Sequence, residues 1–155
     1  MRRQTEAQLQ VQVADYIRLK YPNVLFHSDY GSGVKLTMSQ AMMQKRQNGG
    51  RRSWPDIFIA YPIFKLPKGK TVHDYVKEGD MGKWNMFQDS LRHGLFIELK
   101  REGTRIFKKD GTLVADEHIR EQYDLLERLR HDCGYEAQFA CGFDEAKKII
   151  DEYLA

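Results

Sequence analysis

No stretch of this 155-residue sequence is apolar over anything near the roughly 18 residues that a membrane-spanning helix needs. No membrane-spanning helix is therefore expected. The opening residues MRRQTEAQLQ lack an apolar centre, so no secretory leader is expected. Cysteine is scarce: Cys133 and Cys141 are the only two. They have no metal-ligand spacing and cannot form a disulfide framework, and both read as reduced packing residues of a cytoplasmic protein. The five histidines, His27, His73, His93, His118 and His131, also lack ligand spacing and any His-Asn-His context, which leaves surface or packing roles. Internal repeats and low-complexity tracts are absent. A large excess of either charge is absent too, with 25 Lys and Arg against 22 Asp and Glu. A net charge of +3 permits nucleic-acid binding without arguing for it.

What remains is the composition of a globular protein, 41% hydrophobic and 30% charged, long enough to bury a core without staples. Length predicts one domain over residues 1–155. The charge is unevenly placed. KRQNGGRR carries Lys45, Arg46, Arg51 and Arg52 with no acid, and FKKDG adds Lys108 and Lys109. Acids gather in DEHIREQYDLLE and DEAKKIIDE.

Periodicity predicts a first helix opened by a Thr5–Gln8 capping box, with Leu9, Val13, Tyr16 and Ile17 on one stripe. Tyr21-Pro22-Asn23 ends it. VLFH reads as a strand, and LTMSQAMMQKRQ as a helix stopped by Gly49 and Gly50. DIFIA and LFIELK are the next strands. Between them, residues 62–93 form a long insertion expected to hold a hairpin or a short helix. Residues 101–116 form a hairpin-like excursion turning at Lys109-Asp110-Gly111. A helix follows with Ile119, Tyr123, Leu126 and Leu129 inward, then the strand YEAQFACG and a closing helix capped by Asp144. The order α-β-(α)-β-β-α-β-α predicts an α/β fold, a mixed central sheet flanked by helices.

Three charges break these patterns. Alternation in LFIELK puts Leu95, Ile97 and Leu99 on one face and Phe96, Glu98 and Lys100 on the other. If DIFIA is the neighbouring strand, Asp56 joins Glu98 and Lys100 at a strand end. Two converging carboxylates repel, and a hard divalent cation, Mg²⁺ or Mn²⁺, would relieve them. A lysine beside such a cation would orient or deprotonate water, or neutralise charge on a phosphate oxygen. The competing reading is an Asp at a strand start and a Glu–Lys pair on a solvated strand face. Glu6 and Gln122 add two more polar residues on apolar stripes, where polar groups need partners. Singly, Glu6 reads as a first-turn acid favouring the helix dipole and Gln122 as a satisfied amide. Together, the exceptions are better explained by one site. Trp54 and Trp84 serve either base stacking or packing.

The ordered set Glu6-x-x-Leu9, Gly49-Gly50 before Pro55-Asp56, Ile97-Glu98-Leu99-Lys100, Gln122 and Gly142-x-Asp144-x-Ala146 resembles the VRR-NUC domain of the PD-(D/E)xK nuclease superfamily. The likeness runs over essentially the whole chain, like a standalone, phage-type member, which would act in the host cytoplasm. Ser53 stands where the family usually has glycine. The resemblance implies a restriction-endonuclease-like core and a metal site from Asp56, Glu98 and the Leu99 carbonyl, with Glu6 contributing. It also implies Lys100 as catalytic lysine, Gln122 as support and Arg46 as a phosphate contact. The implied activity is a divalent-metal-dependent DNA endonuclease leaving 5′-phosphates. A homodimer acting on branched DNA such as four-way junctions is implied as well. In this reading, the strip Lys45, Arg46, Arg51 and Arg52, with Lys108 and Lys109, holds the DNA backbone. Rival expectations are a flap- or restriction-type nuclease of the same fold, or a non-catalytic nucleic-acid-binding protein. The insertions would serve as substrate wedge, dimer arm or decoration.

Overall fold

The computed structural model describes residues 4–29, 36–50, 54–66, 68–75 and 90–155. Arg51, Arg52, Ser53 and Trp84, with much of the 62–93 insertion, lie outside the described residues.

Helix α1 (Glu6–Lys20) opens as expected: the Gln8 N–H donates to the Thr5 hydroxyl at 3.2 Å, and the Thr5 N–H to the Gln8 side chain at 3.0 Å. Strand β1 (Phe26–Ser28) starts two residues later than VLFH predicts. Helix α2 (Met38–Gln47) is capped by Thr37, whose own box with Gln40 starts the helix two residues inside the expected segment. It buries none of its residues, so it stands outside the core. Gly49 and Gly50 follow it at φ +63° and +87°. Strand β2 (Ile57–Ile59) then enters the centre. Of the two forms expected, the insertion contains a short helix, α3 (Val72–Tyr75); its two short strands, β3 (Ile63–Phe64) and β4 (Leu91–Arg92), pair antiparallel from its two ends.

Strand β5 (Leu95–Lys100), helix α4 (Glu117–His131), strand β6 (Glu136–Cys141) and helix α5 (Phe143–Leu154) complete the chain. The main sheet runs β1-β2-β5-β6, antiparallel except for the parallel pair β5–β6. It is the mixed, helix-flanked sheet that the element order predicts. The alternation in β5 also holds. Leu95, Ile97 and Leu99 join Ile57, Ile59 and Ala140 under α1 and α5, where Leu9, Val13, Ile17, Ala146 and Ile150 are essentially inaccessible. Phe96 turns to the opposite face with Ala137, against Leu125, Leu126 and Leu129 of α4. Burial of these apolar side chains, at about 25 cal/mol per Å², drives the three-layer packing.

Two expectations change. Tyr123 is only half-buried: it packs edge-on against Phe107 of the excursion, 5.9 Å away, and Leu125 takes the inward place. Asp144 makes no cap, because the helix already begins at Phe143, whose ring packs edge-on to Tyr16 at 5.7 Å. Gly142 takes the cap position at φ +91°, where its N–H extends the ladder to the Lys100 carbonyl at 2.9 Å. The excursion turns as predicted, with Gly111 at φ +81° and Asp110 accepting from the Thr112 N–H at 3.0 Å.

Candidate active site

Strands β2 and β5 pair with Ile57 opposite Ile97, and one step further along both strands Asp56 meets Glu98. Pro55 precedes Asp56 and has no N–H to offer a ladder. Beyond the last pair, the Leu99 N–H is satisfied by a side chain instead, donating to Asp56 Oδ2 at 2.8 Å. The main-chain carbonyl of Asp56 is held as well, accepting from the Asp29 N–H at 2.9 Å and from the Gln10 amide at 3.2 Å. The same Gln10 amide donates to Ser28 Oγ at 3.0 Å and to the Asp29 carbonyl. The Asp56 carboxylate is thus anchored from β5 and its backbone from α1 and the end of β1.

Asp56, Glu98, Lys100 and Gln122 are each less than one-tenth exposed. Lys100 Nζ donates to Glu98 Oε1 at 3.0 Å, and Gln122 Nε2, from α4, donates to the same oxygen. Burial first, and the Asp56 charge second, push the Glu98 carboxyl up to about 8. The ion pair with Lys100 pulls the other way and loses. Glu6, half-buried in the first turn of α1, adds a small upward push. It does not close a compact three-carboxylate group: among the described residues no cluster of three His, Cys, Asp or Glu side chains is placed to hold a metal ion. Two crowded, dry carboxylates with one reluctant to ionise form a donor set that suits a hard divalent cation. Mg²⁺ in particular takes one or two protein carboxylates and fills its remaining positions with water and phosphate oxygens.

No family model and no curated protein matches the chain. A solved structure does: a VRR_NUC domain protein, 18% identical, with a TM-score of 0.58 over 99% of this chain and 91% of that one. The chain has the VRR-NUC fold.

In this VRR-NUC fold, α2 and α4 flank the strand ends and leave between them a pocket of about 300 Å³ that Glu98 and Gln122 line. Lys45, in the last turn of α2, reaches this pocket. Arg46 beside it is exposed and does not line it. Lys108 and Lys109 are exposed at the tip of the excursion, whose Phe107 packs edge-on against Tyr123 of α4. Because the pocket is lined by His118, Glu121, Gln122 and Leu125, α4 stands between those two lysines and the pocket. The structure therefore brings together Asp56, Glu98, Leu99, Lys100, Gln122 and Lys45, with Glu6 near enough to be felt, and sets Lys108 and Lys109 apart.

Sequence reasoning passed over Gln10 and, on α4, the pocket residues Glu121, Asp124 and Leu125, and it gave His118 only a surface or packing role. A signal for Gln10 existed, since it is a polar residue beside Leu9 and Val13 on the buried side of α1. His118 and Glu121 gave none, because in the sequence they sit on an ordinary charged helix face. Among the described residues no helix is long and apolar enough to cross a membrane.

Proposed function

We propose that this protein is a Mg²⁺- or Mn²⁺-dependent DNA endonuclease. The observation that carries the reading is the convergence of Asp56, Glu98 and Lys100 where β2 and β5 part, in a VRR-NUC fold. Asp56, Glu98 and the Leu99 carbonyl would hold the cation, with Glu6 contributing negative charge from the first turn of α1. A cation held there would supply Lewis acidity toward the scissile phosphate and toward a water nucleophile. Lys100, held 3.0 Å from Glu98, neutralises charge growing on a phosphate oxygen and orients the attacking water. Gln122 steadies Glu98 by donating to it. Lys45 and Arg46, with Arg51 and Arg52 along the same segment, contact phosphates, and Lys108 and Lys109 reach backbone farther out.

The finer reading is a cytoplasmic homodimer acting on branched DNA, with four-way junctions as substrate. Two sites related by a two-fold axis suit paired, symmetric nicks. Cleavage of a labelled four-way junction tests this, with flap and duplex controls in Mg²⁺, Mn²⁺ and EDTA, for wild type beside Lys100→Ala. Symmetric metal-dependent nicks lost in the variant are the expected result. Preferential cutting of flaps or duplex would replace the junction reading. Salt-sensitive binding with no cut in either metal would leave a binding protein.

A further inference from the structure

The pocket beside Glu98 is at the small end of ligand sites, with about 300 Å³ of space. Its chemistry does not suit a phosphate. Glu98, Glu121 and Asp124 line it against Lys45 and His118, so an entering anion meets carboxylates. The other walls are apolar: Trp54, Pro55 and Leu125. The Trp54 ring leans on Phe96 with centroids 6.1 Å apart, yet the residue remains 40% exposed. A large aromatic residue left partly open beside a pocket offers a stacking surface.

Gln122 sharpens this. It is 8% exposed, and its Nε2 is committed to Glu98 Oε1. Its Oε1 is buried without a hydrogen-bond partner. A buried carbonyl oxygen lacking a donor is costly and marks where a ligand's N–H would fit. Glu121 and Asp124 add further acceptors.

We propose that this pocket takes one unpaired nucleobase next to the scissile phosphate, stacked on Trp54 and donating an exocyclic amine to Gln122 Oε1. The inference rests on the nuclease reading above. Adenine, cytosine and guanine carry such an amine, whereas an unpaired thymine offers only its ring N3–H between two carbonyls that would meet the pocket's carboxylates, so a thymine at that position is disfavoured. Taking a base out of a helix costs unstacking energy, least where the base is already unpaired. The pocket therefore favours DNA with unpaired or easily opened bases at a branch. The phosphate stays outside, at Asp56, Glu98 and Lys100.

The test is an abasic scan around the branch of a four-way junction, read by anisotropy in Ca²⁺ and single-turnover cutting in Mg²⁺. It compares wild type, Trp54→Ala and Trp54→Phe. At one position next to the cut, removing the base should weaken wild-type binding about tenfold, the scale of one base–aromatic stack. Thymine there should bind more weakly than the three amine-bearing bases. Trp54→Ala should weaken the intact junction by a similar factor and lose the abasic response, and Trp54→Phe should restore both. A 2-aminopurine placed at that position should be quenched on binding wild-type protein, a readout that needs no variant. A flat abasic scan with unquenched 2-aminopurine, while cutting proceeds, would overturn the pocket and leave the nuclease intact. An abasic response undiminished in a folded Trp54→Ala would also overturn it. Failure to bind or cut any DNA would remove the nuclease reading and this inference together.

Discussion

The carboxylate of Asp56 accepts the backbone N–H of Leu99 at 2.8 Å, so the first acidic residue of the site is fastened to the strand that carries the second. The two carboxylates converge because this side-chain bond takes over where the strand ladder ends. Function and strand pairing are therefore coupled at this point, and substitutions here separate charge from geometry.

Asp56→Asn and Glu98→Gln should each abolish metal-dependent cutting while leaving a folded protein. Glu98→Gln mimics the protonated carboxyl that burial beside Asp56 already favours, so without metal it should melt close to wild type. Its melting temperature should rise less than wild type's on adding Mg²⁺ or Mn²⁺. Lys100→Ala should lose about a hundredfold or more in rate, the scale of one electrostatic stabiliser. Calorimetric scans with and without metal, beside cleavage assays, check all three.

Gln10→Leu should damage both stability and rate. It leaves the Asp56 carbonyl, the Asp29 carbonyl and the Ser28 hydroxyl without their amide donor, at a cost of about 1–3 kcal/mol. For a chain of this size that lowers Tm by several degrees. Because Gln10 acts through the position of Asp56, kcat should fall while KM for DNA stays close to wild type. A change confined to KM would contradict that role.

Gly94→Ala should be far worse than Gly111→Ala. A Cβ on Gly94 would sit 2.6 Å from the Ile59 carbonyl oxygen and 2.8 Å from the Phe58 ring, inside the β2–β5 pair that positions the site. Overpacking of this kind costs about 1–3 kcal/mol. Gly111 has open space around it, and only its φ of +81° penalises a side chain, at roughly 1 kcal/mol. Urea denaturation of the two variants gives the order directly.

Asp151 should govern the acid side of stability. Partial burial raises its pKa, but hydrogen bonds from Lys147, Tyr16, Lys20 and Tyr21 outweigh that and hold it well below the usual carboxylate range. Lys20 at 2.9 Å and Tyr21 at 2.7 Å, with Tyr16, reach it from α1 and its C-cap, and Lys147 at 2.8 Å from within α5. A depressed folded-state pKa stabilises above the ordinary value of 3.8, and that stability is lost as pH falls below it. Asp151→Asn should therefore lower Tm by a few degrees at pH 7, a gap that narrows as pH drops below about 4. Thermal melts of both proteins from pH 7 to pH 3 test this.

Much of this molecule is local in origin. The Thr5–Gln8 box, the alternation of Leu95 to Lys100 and the Asp110-Gly111 turn follow from bonds and faces within a few residues, so the chain specifies them wherever it lies. The pairing of Asp56 with Glu98 and Lys100 is legible for the same reason: strand periodicity dictates the shared face, and only the neighbouring strand has to be supplied. Asp144 shows the limit of local reading. A cap at Asp144 would start the helix at Glu145, but it starts two residues earlier at Phe143, whose ring packs on Tyr16. Gln10, His118 and Glu121 acquire meaning only when α1, β1 and α4 are folded against the strand ends. The pocket between α2 and α4 likewise belongs to no segment. Its walls are brought together from residues up to 80 positions apart, from Lys45 to Leu125, by burial of apolar faces that carry no information about what lines the space between them.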